Sequence, residues 1–238
     1  MVIALVAVGP SLFLLLYFYL ADRYEPEPRG HVRLAFGLGM VAMGAAVLGD
    51  LGIAATIGPE WLALGGLPAR AFEAFVMAGV VEEGAKWLLF VLVVYRWAEF
   101  DEPLDGVVYG VALSLGFATV ENVLYVGREG VEVGLLRAVF AVPAHALLGA
   151  TMGGFLGRAK LGGGKEEGRD VTTRERRDRI GLALAIPILV HGLYDLLLLE
   201  LVGAAMYGAV GAGSVALWIF ILRRVHHAKE DSPFKPDP

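Results

Sequence analysis

The strongest constraint on this chain is a series of long runs too apolar for water. Residues 1–20 read MVIALVAVGPSLFLLLYFYL, and no charge precedes Asp22. A helix crossing a bilayer needs about 20 mostly apolar residues. Seven segments meet that length: 1–21, 32–57, 69–97, 104–127, 131–157, 180–200 and 202–222. Of the 238 residues, 57% are hydrophobic and 19% charged. A soluble domain of 25.4 kDa lacks the interior to hide that much apolar surface. The expected fold class is therefore all-α, a polytopic membrane protein of about seven transmembrane helices in a lipid bilayer. The first run has neither a basic start nor a small-residue cleavage site, so it reads as a retained span. A single transmembrane domain is expected at 1–222, with a charge-dense loop at 158–179 and a polar, proline-broken tail at 223–238.

Basic residues set the orientation. With the N-terminus outside, 16 of the 20 Lys and Arg fall in cytoplasmic segments, three fall outside (Arg70, Arg128, Arg137), and Lys86 lies within a span. The positive-inside rule then puts the C-terminus in the cytoplasm. A net charge of −5 gives nucleic acid no electrostatic footprint. The absence of cysteine removes disulfides, Cys-ligated metals and thiol nucleophiles together.

Against that background the informative residues are the ionisable ones at membrane depth, each costing about 2.5–3.5 kcal/mol on insertion scales. Glu82, Glu83 and Lys86 lie in the third span, Asp105 and Glu121 in the fourth, His145 in the fifth, and His191 with Asp195 in the sixth. They must face one another or water. Glu82 and Lys86 are i, i+4 and can pair, while Glu83 projects about 100° away at 3.6 residues per turn. His191 and Asp195 are also i, i+4, so Asp195 can orient the ring and free its other nitrogen. Phe117, Glu121 and Tyr125 form one stripe, with Asn122 beside it; Phe117 and Tyr125 are candidate substrate contacts. Ala141, His145, Gly149, Gly153 and Gly157 form a small-residue stripe that admits a neighbouring helix. Structural roles are expected for several others. Lys86 is a counter-ion, Asp105 an N-cap or interfacial group, Asp50 structural or water-facing, Glu73 an outer-surface residue, and His226 and His227 part of the tail.

Serine nucleophiles lack a base at helical spacing, which leaves carboxylate and imidazole chemistry. A Glu in a low-dielectric pocket can take a proton from water, with the second Glu held ionised by Lys86 and a His meeting the developing oxyanion. Glu121 and Asn122 would contact substrate backbone or support a histidine. The same Glu82, His145 and His191 could instead hold zinc, although no HExxH occurs. The glutamic scheme needs no cofactor, and the sequence does not separate the two. A proton-coupled transporter and a non-catalytic prenyl-lipid or haem binder are the rivals from other classes.

Four motifs then occur together. Val81–Lys86 reads VEEGAK, an EExxK; residues 105–125 read DGVVYGVALSLGFATVENVLY; His145 lies in PAH; and 191–195 read HGLYD. In this order, over about residues 70–200, they resemble the PrsW family, within the wider group of CAAX-type and bacteriocin-processing membrane proteins. Lys86 stands where the CAAX-type motif has Arg, and Asp195 where it has Asn. Phe140 lies five residues before His145, one more than in the FxxxH form. The resemblance implies a multi-pass intramembrane glutamic-type protease of the bacterial cytoplasmic membrane. It would make an outer-side cut in a membrane-anchored anti-sigma factor. Glu82, Glu83, His145 and His191 would be catalytic, supported by Lys86, Glu121, Asn122 and Asp195.

Overall fold

The computed structural model describes residues 2–22, 24–57, 65–162, 172–201 and 203–230. Two long helices, α1 (Val2–Ala21) and α2 (Arg29–Ile57), come first. The third span follows in pieces: α3 (Gly66–Phe72), a π-helix (Glu73–Glu82), α4 (Glu83–Leu92) and a 3₁₀ turn (Val94–Arg96). Then come α5 (Pro103–Glu129), α6 (Val131–Val139), α7 (Ala141–Leu161), α8 (Thr173–Glu200) and α9 (Gly203–Glu230). Among the described residues, six stretches are long and apolar enough to cross a membrane, α6 and α7 together making one of them.

The centre of the bundle is α5. From Leu104 to Thr119 every residue is buried, the pattern of a core helix rather than an amphipathic one. It packs against α7, α2 and α1. Large apolar side chains on the outer helices point away from this core: Phe13 and Leu16 on α1, Leu48 and Leu51 on α2, Leu189 on α8. In water such a surface would aggregate; in a bilayer it is the lipid-facing wall.

Glycines set the α5–α7 spacing. A Cβ added at Gly153 would sit 1.7 Å from the Gly106 carbonyl oxygen, and one at Gly110 would sit 2.2 Å from that of Gly149. The predicted stripe on α7 therefore meets a matching one on α5, and the two backbones touch. The start of α5 is fixed just as locally. Pro103 opens the helix, Glu102 caps it, and Asp105 closes a capping box, accepting the N–H groups of Glu102 (2.7 Å) and Asp101 (2.9 Å). Asp105, expected as an N-cap or interfacial group, instead takes the N3 place of the box, with Glu102 as the N-cap.

Three boundaries differ from the sequence expectation. The third span is not one α-helix: its middle widens into a ten-residue π-helix. Along it, Gly79 is pressed against α8, its Cβ position 3.0 Å from the Ile188 carbonyl oxygen. Helix also runs into both segments expected to be aqueous. Arg158–Leu161 closes α7, and α8 opens within the predicted loop on a Thr172–Glu175 capping box. The predicted tail is helical to Glu230, because its first proline is Pro233. Residues 163–171 and 231–238 lie outside the described residues.

Candidate active site

The EExxK motif straddles the change of helix type. Glu82 is the last residue of the π-helix and Glu83 the first of α4. Glu83 and Lys86 are both fully buried, and Lys86 Nζ donates to Glu83 Oε1 at 2.7 Å. Glu82 Oε2 is farther from the ammonium, 3.6 Å. Periodicity pointed to Glu82 as the partner of Lys86; the shorter contact is the i, i+3 one to Glu83.

From this pair a chain of alternating acids and bases crosses the bundle. His191 Nδ1, on α8, lies 2.8 Å from the same Glu83 oxygen. Asp195, expected to orient His191, is 3.8 Å from Nε2, beyond hydrogen-bond range. Glu83 therefore fixes this ring, because it reaches across from α4 while the α8 turn holds Asp195 too far away. On the other side Lys86 Nζ is 3.2 Å from His145 Nδ1. An ammonium can only donate, so Nδ1 is the acceptor and the ring proton sits on Nε2. That nitrogen lies 2.9 Å from Glu121 Oε2, which Arg137 of α6 meets at 2.7 Å. The two imidazoles stand edge to face, 5.2 Å between centroids.

Arg137 is the residue that sequence reasoning missed, having entered only as an outer basic charge. Its Nε donates to Asn122 Oδ1 at 3.0 Å, and the guanidinium covers the Tyr125 ring at 4.1 Å. Asn122 in turn donates to the carbonyls of Val6 and Ala7 on α1. It ties two helices together and is committed away from substrate. Phe117, expected at the substrate, is fully buried, 3.9 Å beneath the Lys86 ammonium, and does not line the cavity of the site. Tyr125 stays half open and lines the cavity.

That cavity, about 940 Å³, is bounded by Glu82, Glu121, Arg137, His145, His191 and Asp195, and extends to Asp50, Arg70 and Glu73. Asp50, expected to be structural or water-facing, and Glu73, expected at the outer surface, both line this cavity. Charge pairing sorts the three glutamates. Glu83 has Lys86, Glu121 has Arg137, and Glu82 faces the open space with neither cation in hydrogen-bond contact.

A metal reading was tested on the same atoms. Glu82, His145 and His191 each offer a ligand atom, all within 4.8 Å of one another, and two His with a carboxylate are a catalytic zinc set. The spacing suits a metal, but the hydrogen bonds already made by His145 compete with one. The His145 Nδ1 lone pair is directed at the Lys86 ammonium and Nε2 carries the proton that faces Glu121, so a metal here would have to displace either Lys86 or that proton.

A family model described as "PrsW family intramembrane metalloprotease" matches residues 27–223. Protease PrsW of Geobacillus kaustophilus is 39% identical over 93% of this chain and 90% of its own length. Protease PrsW of Bacillus subtilis is 37% identical, covering 93% of each. The namesake from Clostridioides difficile is 33% identical over 82% of the chain and 78% of its own length. No solved structure matches.

Proposed function

The chain belongs to the PrsW family of intramembrane proteases, and from that premise we propose that it is a glutamic-type peptidase in which Glu82 activates the water. It is a multi-pass membrane peptidase, so the transporter, prenyl-lipid and haem readings lose their ground. The observation that carries the proposal is the charge sorting. Of the three glutamates in the site, Glu82, only partly buried, alone borders the cavity without a cation in hydrogen-bond contact, which leaves it free to accept and return a proton.

Glu83 holds His191 through Nδ1, so Nε2 faces the cavity side and can orient the water. The water oxygen attacks the scissile carbonyl carbon and its proton passes to Glu82. The oxyanion shares the His145 Nε2–H with Glu121. Glu82 then returns the proton to the amide nitrogen as the C–N bond breaks. Lys86 and Arg137 keep Glu83 and Glu121 charged and out of the proton traffic.

The substrate we propose is a membrane-anchored protein, an anti-sigma factor by family resemblance, cut on the outer side of the bacterial cytoplasmic membrane. Two observations support that side. The cavity reaches Arg70 and Arg137, and these lie on the outer side under the positive-inside count.

A second reading, zinc-dependent, draws on the spacing of Glu82, His145 and His191. One assay separates the two: cleavage of a single-span substrate by the purified protein, before and after a strong zinc chelator. Full activity after chelation is expected. Loss restored by zinc would overturn the glutamic scheme.

A further inference from the structure

A second set of buried acids lies at the other end of α5, and the catalytic proposal makes no use of it. The connector between α1 and α2 reads Asp22-Arg-Tyr-Glu-Pro-Glu-Pro28. Each glutamate in it precedes a proline, which holds its backbone extended, and Pro28 caps α2 by accepting the N–H of His31 at 2.9 Å. Asp22 and Glu27 are each 3% exposed, and Asp105 is 1% exposed. One carboxylate oxygen from each lies within 4.8 Å of the others.

The donors around these groups aim them and leave capacity unfilled. Asp105 Oδ2 is taken by the N–H groups of Asp101 and Glu102, and Glu27 Oε2 by the Tyr109 hydroxyl. Among the described residues, neither oxygen of Asp22 has a hydrogen-bond partner, although both are shut off from solvent. The backbone N–H groups of Glu25 and Glu27 lie near enough to favour its charge, but outside hydrogen-bond limits. Among the described residues, no Lys or Arg forms an ion pair with Asp22, Glu27 or Asp105. Lys160 is near enough for its charge to be felt by Asp105 and Glu27, but its hydrogen bond goes to the Trp97 carbonyl at 2.7 Å.

An unpartnered buried carboxylate aimed at two others needs a cation or a proton. All the ligand atoms on offer are oxygens, with no imidazole or thiolate, which suits a hard ion and not zinc. We propose that Asp22, Glu27 and Asp105 bind a hard divalent cation of the Mg²⁺/Ca²⁺ class, clamping the α1–α2 connector onto the first turn of α5. The site does not depend on the catalytic reading. The raised proton affinity of Asp22 and Glu27, both pushed up to about 7 with burial as the first cause, is what such a site shows without its ion.

The test uses the full chain, purified in detergent and stripped with EDTA. Thermal unfolding is followed at pH 7.5 with Mg²⁺, Ca²⁺ or Mn²⁺ added. At about 100 times Kd, a rise of about 4 °C or more is expected in the native chain. The rise should vanish in Asp22→Asn and Glu27→Gln, and persist in Glu82→Gln. No rise in the native chain, a rise that survives Asp22→Asn, or one lost in Glu82→Gln would each overturn the proposal. Tb³⁺ gives a reading independent of variant folding. Trp97 stacks edge-on against Tyr109 at 5.0 Å, so Trp-sensitised emission displaced by Ca²⁺ is expected, and its absence counts against the site.

Discussion

Two buried acid clusters sit on one helix and solve the same electrostatic problem in opposite ways. Glu121 and Asp105 are sixteen residues apart on α5, about 24 Å along its axis. Around Glu121 the acids alternate with Lys86, Arg137 and two imidazoles, so most of the charge is neutralised across helix boundaries. Around Asp105 the neighbours are more acids, and the cluster has only donors that orient it. A buried carboxylate beside a cation can stay charged, whereas one beside other carboxylates must hold a proton or recruit a cation. The first arrangement leaves one acid, Glu82, poised at a cavity. The second leaves both Asp22 oxygens buried with no hydrogen-bond partner among the described residues.

The largest effect that could break this contrast is on catalysis. Glu82→Gln should lower kcat by about 10²–10⁴-fold with the unfolding temperature nearly unchanged. A variant that cleaves at the native rate would mean that the acid without a close cation is not the working one. Next comes Lys86→Met, which strands the fully buried Glu83 and should cost about 3–5 kcal/mol of stability. Adding Glu83→Gln should restore part of it in chemical denaturation. No recovery would show that Lys86 acts through packing on Phe117 rather than through charge.

Gly153→Ala tests whether both clusters depend on the same helix contact. Its Cβ would meet the Gly106 backbone, and overpacking of this kind costs about 1–3 kcal/mol. Thermal unfolding should fall, and cleavage should fall with it, since Glu121 and His145 sit on the two helices forced apart.

The smallest effect is a pH slope. The folded-state pKa of Asp22 is raised to about 7 from 3.8, so between pH 4 and 7 the folded state holds a proton that the unfolded state has lost. Stability in EDTA should therefore fall as pH rises through that window, by at most about 1.4 kcal/mol per pH unit for one proton. It should level off above pH 7. Asp22→Asn should flatten the slope. An unchanged slope would remove Asp22 from the group that titrates.

Most of the site's membership was legible in the sequence, because charged residues inside apolar spans have no other explanation. Glu82, Glu83, Lys86, Glu121, His145 and His191 were all singled out on that ground. The pairings were read less well. Helical spacing joined Glu82 to Lys86 and Asp195 to His191, and in both cases Glu83 is the closer partner. Arg137 and the Asp22 cluster were missed for a common reason. They lie at span ends or in a connector, where a charge looks ordinary until another helix buries it.

The sequence alone determined the solvent, the long spans and the inventory of acids and bases at membrane depth. The spans follow because their length and apolarity leave water no role, and the inventory because each buried charge costs too much to be incidental. Only the tertiary structure decided which acid meets which base. Periodicity assigns residues to faces of one helix, whereas His191–Glu83, Lys86–His145 and Glu121–Arg137 are contacts between helices. Those contacts depend on how far the glycines let α5 and α7 approach, and on a third span that widens into a π-helix ending just before Glu83.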